Sequence, residues 1–202
     1  MCSACAERLP RLDEHHCRVC AAPGARSTLC PDCYREHPPI AGITAPFEHR
    51  ELARTMVLNM KYRGHRHLAH VLAPAMAATV TAHATVVVPV PLHPERKRER
   101  GFNQAELLAR DVAATMRLPM RRLLTRTRPT PPQAGSSRVA RLANVRRAFK
   151  AHPAAKGEVV LLVDDVCTTG ATLFACAAAL SQAGAASVFG VTATRASLEQ
   201  GH

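Results

Sequence analysis

Two adjacent aspartates, Asp164 and Asp165, follow the apolar run Val159-Val-Leu-Leu-Val163 and precede Val166-Cys167 and the small-residue segment Thr168-Thr-Gly-Ala-Thr172. Neighbouring carboxylates accept hydrogen bonds from the hydroxyls of a vicinal diol, and hydroxyl and glycine residues opening a helix offer unpaired N–H groups to a phosphate. Such a site suits a ribose 5-phosphate. A strand that simply ends in capping residues would use the same residue types. The segment has neither the Gly-Lys-Ser/Thr of a Walker loop nor the Gly-x-Gly-x-x-Gly of a dinucleotide fingerprint.

Three Cys-x-x-Cys pairs, Cys2/Cys5, Cys17/Cys20 and Cys30/Cys33, open the sequence. In a reducing compartment such pairs favour thiolate ligation of a metal over disulfides, and two of them close a tetrahedral zinc site. One pair is left over. Residues 1–37 have too few aliphatics for a core, so a metal must substitute for it. Cys167 and Cys176 read as ordinary buried thiols.

The elements that would position these groups follow from periodicity. Leu52, Met56, Val57 and Met60, then Leu68, Val71, Leu72, Ala75 and Met76, recur at helical spacing on either side of Gly64. Thr85-Val-Val-Val-Pro-Val-Pro91 is a short buried strand ended by prolines, and 92–101 reads as a charge-dense loop. Leu107, Leu108, Val112 and Met116 mark a helix over 103–116. Residues 159–163 read as a strand, 171–183 as a helix ended by Gly184, and 187–192 as a further strand. Between them, 121–149 mixes arginines with threonines and prolines and reads as a mobile hairpin or flap. Two strand–helix–strand units imply an α/β fold, a parallel sheet flanked by helices, with ligands beyond the carboxyl ends of the strands. The expected division is a cysteine-rich module over 1–37 and an α/β domain over 38–202.

Lys and Arg outnumber Asp and Glu by 27 to 15 in 202 residues, a net charge of +12. That favours polyanionic partners without separating nucleic acid from a polyphosphorylated metabolite. Aromatics at 3 % and no Trp count against a dedicated single-strand-binding module. An apolar content of 47 % excludes a disordered chain. No stretch nears the roughly 20 apolar residues that span a bilayer, and no apolar leader precedes a cleavage site. A cytoplasmic protein without membrane insertion is expected.

At residues 159–172 the sequence resembles the signature of type I phosphoribosyltransferases, and more of it resembles the ComF competence-protein family. The likeness takes in the cysteine pairs, Lys61-Tyr-Arg-Gly64, Val88-Pro-Val-Pro-Leu92, Arg100-Gly-Phe-Asn-Gln104, and a flap with Arg126-Thr127, Gln133, Arg141 and Asn144. It implies a type I phosphoribosyltransferase fold with a hood, plus a small N-terminal zinc ribbon. Asp164 and Asp165 would hold the ribose of phosphoribosyl pyrophosphate, and Thr168, Thr169, Gly170, Ala171 and Thr172 would wrap its 5-phosphate. The loop with Pro91 and Leu92 would approach the pyrophosphate, with Arg100, Arg126 and Arg128 closing over it. Magnesium would ease departure of the leaving group, and closure would keep water from an oxocarbenium-like centre.

Purine-salvage members of the wider family carry an aspartate where this sequence has Thr168, and a threonine is no general base at neutral pH. Either the acceptor needs no base from this loop, or the ligand is bound without turnover. Glu106 and Asp111 read as helix-surface charges. Relatives often carry four cysteine pairs, so the first pair looks to be missing here. The closed zinc site is then Cys17, Cys20, Cys30 and Cys33, with nine residues between its pairs. Cys2 and Cys5 would be unliganded, recruit His15 or His16, or pair between chains. The resemblance further implies handling of single-stranded DNA with the DNA-uptake machinery in natural transformation. The alternatives are a nucleic-acid adaptor with a vestigial or regulatory transferase site, and a metabolic phosphoribosyltransferase with no DNA role.

Overall fold

The computed structural model describes residues 3–24, 28–128 and 148–197. Two short helices, α1 (Ser3–Glu7) and α2 (Pro31–Glu36), accompany the cysteines. Strands β1 (Gly42–Thr44) and β2 (Phe47–Glu48) follow, then helices α3 (Glu51–Tyr62) and α4 (Leu68–Ala78) and strand β3 (Val86–Pro89). Helices α5 (Pro94–Arg100) and α6 (Gln104–Met116) lead to strands β4 (Leu124–Arg126) and β5 (Phe149–Ala151). Strand β6 (Val159–Cys167), helix α7 (Ala171–Gln182) and strand β7 (Ser187–Arg195) complete the described chain.

The main sheet is parallel throughout. Its order is β1-β7-β6-β3, and β2 continues the pairing of β1 along the same edge of β7. Strands buried on both faces appear as unbroken apolar runs, because a parallel sheet is covered on each side. Val86, Val88, Val160 and Leu162 pack with Leu173, Cys176 and Leu180 of α7. Val87, Leu161 and Val163 point the other way, into a cluster with Met56 and Met60 of α3, Leu72 and Met76 of α4, and Leu108 and Val112 of α6. Cys17, Cys20 and Cys33 belong to the α7-side cluster, so the cysteine segment is seated directly on the sheet's core.

Three expectations change. The charge-dense loop contains α5, which starts on Pro94 and stops at Gly101 in the left-handed region (φ 75°). Its Glu, Arg and Lys residues have good helix propensity but supply no apolar stripe, so periodicity cannot reveal it. β6 does not stop before the acids but runs through them to Cys167, and β7 runs on to Arg195. Asp164 pairs with Thr192, Val166 with Thr194 and Cys167 with Arg195. On the other side the last ladder bond is Val90 N–H to the Val163 carbonyl, 2.9 Å. From Asp164 onward β6 is therefore paired on one side only, and its free side opens on the site. The short edge strands β1 and β2 carry no sequence signal of their own.

Of the expected flap, the described part is the antiparallel pair β4 and β5, with Arg126 opposite Phe149. Gln133, Arg138, Arg141, Asn144, Arg146 and Arg147 lie outside the described residues, as does Cys2.

Candidate functional site

A cleft of about 460 Å³ lies past the carboxyl ends of β3 and β6. Asp164, Asp165, Thr168 and Thr172 line one part of it, Pro91 and Leu92 another, and Arg96, Arg100 and Arg126 the rest. The expected residues thus converge, with four exceptions. Arg128 is exposed and does not line the cleft. Thr169, Gly170 and Ala171 are buried behind its wall and shape the turn instead. Thr169 Oγ1 accepts from the Ala171 N–H at 3.3 Å. Gly170 sits at φ +81°, and a Cβ there would stand 2.7 Å from the Phe174 ring. Only glycine meets both demands.

The two acids are unequal. Asp165 is 7 % exposed and its Oδ1 lies 2.8 Å from Lys61 Nζ. Its N–H donates to Asp164 Oδ1, 2.8 Å away. Burial, then repulsion from Asp165, pushes the Asp164 carboxyl up to about 7, while Lys61 and Arg126 pull the other way. The cleft therefore presents one ion-paired carboxylate and one held near neutral pH.

Lys61 and His49 are the residues that sequence reading missed. Lys61 lay within the segment that carried the family likeness, yet nothing local tied it to the acids. His49 follows β2; its Nδ1 is 2.8 Å from Thr194 Oγ1, and its pKa is lowered by burial and by Lys61 and Arg54. Asn103 caps α6 by accepting from Ala105 N–H at 3.1 Å, and its Nδ2 donates to the Val90 carbonyl at 3.0 Å. That bond fixes the loop bearing Pro91 and Leu92 against the helix start. At the mouth, Tyr62 is 68 % exposed beneath the Arg100 guanidinium, 5.0 Å from the ring centre. Arg66 covers Phe102 at 4.6 Å. Glu106 pairs with Arg122 and Asp111 with His70, both away from the cleft lining.

The cysteines form a second centre. The Sγ atoms of Cys17, Cys20, Cys30 and Cys33 all lie within 4.8 Å of one another. The Cys20–Cys30 separation is 3.7 Å, against about 3.8 Å for the edge of a tetrahedron with zinc–sulfur bonds of about 2.3 Å. The donor set and spacing fit a zinc ribbon. Cys5, His15 and His16 are not part of the cluster, and His15 and His16 hydrogen-bond to Asp13 instead. Among the described residues, no helix is long and apolar enough to cross a membrane.

The parallel sheet and the Asp-Asp-to-Thr-Thr-Gly rim define a phosphoribosyltransferase-like α/β protein. No family model matches the sequence. It is 30 % identical to the DNA utilization protein YhgH of Escherichia coli (strain K12) over 93 % of this chain and 87 % of that protein. It is 28 % identical to Competence protein ComFC of Bacillus subtilis (strain 168), over 96 % and 84 %. To Competence protein F of Haemophilus influenzae it is 27 % identical, over 86 % and 80 %. The chain belongs to the ComF family. Among solved structures, glutamine phosphoribosylpyrophosphate amidotransferase from B. subtilis superposes with a TM-score of 0.47 at 20 % identity, over 67 % of this chain and 30 % of that one. Leishmania donovani UMP synthase gives 0.38 at 17 %, over 67 % and 24 %. The chain spans under a third of either enzyme.

Proposed function

We propose that the cleft binds phosphoribosyl pyrophosphate together with magnesium. The observation that carries this reading is the convergence of Asp164 and Asp165 with Thr168, Thr172 and three arginines around one opening. The carboxylates accept the ribose 2- and 3-hydroxyls, and the 168–172 turn at the start of α7 takes the 5-phosphate through its N–H and hydroxyl groups. Arg96, Arg100 and Arg126 pair with pyrophosphate oxygens, for which guanidinium forks are suited. Magnesium, when bound with the ligand, neutralises charge on the leaving pyrophosphate. Zinc in the four-cysteine cluster is structural, because all four ligand positions are taken by thiolates. Thr168 supplies no base, so the chemistry is pentosyl transfer to an acceptor already nucleophilic at neutral pH, or binding without turnover.

Calorimetry with and without magnesium tests the reading. Replacing both acids, as Asp164→Asn with Asp165→Asn, should weaken binding at least a hundredfold, since two charge-assisted bonds of roughly 1.5–3 kcal/mol are lost. Unchanged affinity in the folded double variant would move the site elsewhere.

A second activity, weak sequence-independent binding of single-stranded DNA, is favoured by the exposed Tyr62 ring at the mouth with Arg100 over it. An exposed ring beside a guanidinium suits a stacked base and its phosphate. The names of the relatives, in DNA utilization and competence, point the same way.

A further inference from the structure

Arg195, the last residue of β7, is fully buried. Its Nε donates to the Cys20 carbonyl at 2.7 Å and its Nη1 to the Cys167 carbonyl at 3.1 Å. Nη1 also donates to the carbonyls of Thr168 and Ala196. Nη2 is buried without an acceptor among the described residues. Every acceptor is a neutral carbonyl, yet a guanidinium keeps its proton at any physiological pH. A buried cation with no anion beside it is strongly destabilising.

Loaded with metal, the four-cysteine cluster would supply that anion. Arg195 holds the carbonyl of Cys20, a member of the cluster, and a divalent metal with four thiolates carries a net charge of −2. The same guanidinium grips Cys167 and Thr168, which lead directly into the 168–172 turn. Its backbone carbonyl accepts from the N–H of His49, a cleft residue, at 2.7 Å. One side chain therefore touches the metal knuckle and the backbone entering the turn, and its main chain touches a residue of the cleft lining.

We propose that Arg195 is a positioning residue: it is the counter-cation of the metal-loaded cysteine cluster, and through the Cys167 and Thr168 carbonyls it makes the set of the 168–172 turn depend on metal occupancy. The part of this concerning ligands rests on the phosphate role proposed above for that turn. With metal bound, the guanidinium is compensated and its fork holds ribbon and turn in one arrangement. With metal removed, the buried cation loses its anion and the arrangement relaxes. Linkage is reciprocal, so a ligand that needs the ordered turn must slow metal loss by the same coupling.

The test is hydrogen exchange on the full chain, zinc-loaded against chelator-stripped under reducing conditions, with no phosphate ligand present. Stripping should speed exchange at least tenfold at Ala171, Ala196 and His49, whose amides bond to Thr169 Oγ1, the Cys167 carbonyl and the Arg195 carbonyl. Leu108 and Val112 in α6 should keep their protection. Arg195→Lys keeps the charge but not the fork, so it should retain zinc while the three amides exchange fast whether or not metal is bound. Cys30→Ser, which leaves Arg195 in place, should reproduce the stripped wild-type pattern even if the lysine variant fails to fold. Stripping that changes only residues 17–33 would overturn the proposal, as would a lysine variant that behaves like wild type. Because no ligand is added, this outcome is independent of what the cleft binds. Phosphoribosyl pyrophosphate with magnesium, titrated into both forms, should then bind at least fivefold more weakly to stripped protein. Equal affinity for both would overturn the coupling, whereas binding to neither would overturn the reading of the cleft and leave Arg195 to the exchange result.

Discussion

Lys61 at the end of α3 and Asp165 in β6 form an ion pair of 2.8 Å in which both side chains are largely buried, at 18 % and 11 % exposure. The pair fastens a helix to the rim of the sheet and sets a cation beside one of the two site carboxylates. Removing one partner of a buried pair leaves the other uncompensated, which costs more than the pair itself contributes. Lys61→Met should therefore destabilise the protein by about 3 kcal/mol in urea unfolding. Adding Asp165→Asn to it should recover a large part of the loss. Additive effects in that double-mutant cycle would show that the two groups do not interact.

Asp164 titrates at about 7 in the folded protein, against about 4 for an unperturbed aspartate. Between those values the folded state holds a proton that the unfolded chain has released, so stability falls as pH rises through the window. Asp164→Asn should match wild-type stability near pH 4 and exceed it at pH 8 by on the order of 4 kcal/mol. Chemical denaturation at several pH values measures this. A wild-type stability that rises across the same interval, with no gain in the variant, would contradict it.

Gly170 combines a left-handed backbone with a Cβ position 2.7 Å from Phe174. Gly170→Ala should cost about 1–3 kcal/mol from strain and displaced packing. It should also weaken phosphoribosyl pyrophosphate binding, since α7 would start in a different place. Thermal unfolding and calorimetry on the same sample report the two effects. A variant as stable as wild type would show that the turn tolerates a side chain.

Purified protein should carry one zinc per chain by elemental analysis, because a single closed S₄ set is present among the described cysteines. Cys30→Ser should lose it. Cys5→Ser should keep it, since Cys5 lies outside the cluster. Retention by the first variant, or loss from the second, would reassign the ligands.

Binding of single-stranded DNA should weaken by about 0.7 log units per tenfold rise in salt for each phosphate contacted. Tyr62→Ala should reduce affinity with the salt slope unchanged, and Arg100→Ala should reduce both. A flat salt dependence in fluorescence anisotropy would leave the positive charge without this role.

Chemistry written in consecutive residues was legible from the sequence. The order Asp164-Asp165 to Thr172 and the two spaced cysteine pairs are covalent facts, and a strand running into a helix start puts such residues at a sheet edge in any packing. The buried strands and amphipathic helices were legible too, because burial leaves its period in the chain. What only the tertiary structure decided is which distant groups meet. Lys61 reaches Asp165 because α3 packs beside β2 and β7, and Arg195 reaches Cys20 across 175 residues because β7 ends under the metal knuckle. Neither lysine nor arginine announces burial by its type, since both are ordinarily exposed. α5 escaped because a helix with no apolar face has no hydrophobic period. β6 outran its expected end because a neighbouring strand, rather than its own residues, offered the ladder that Asp164 and Asp165 continue.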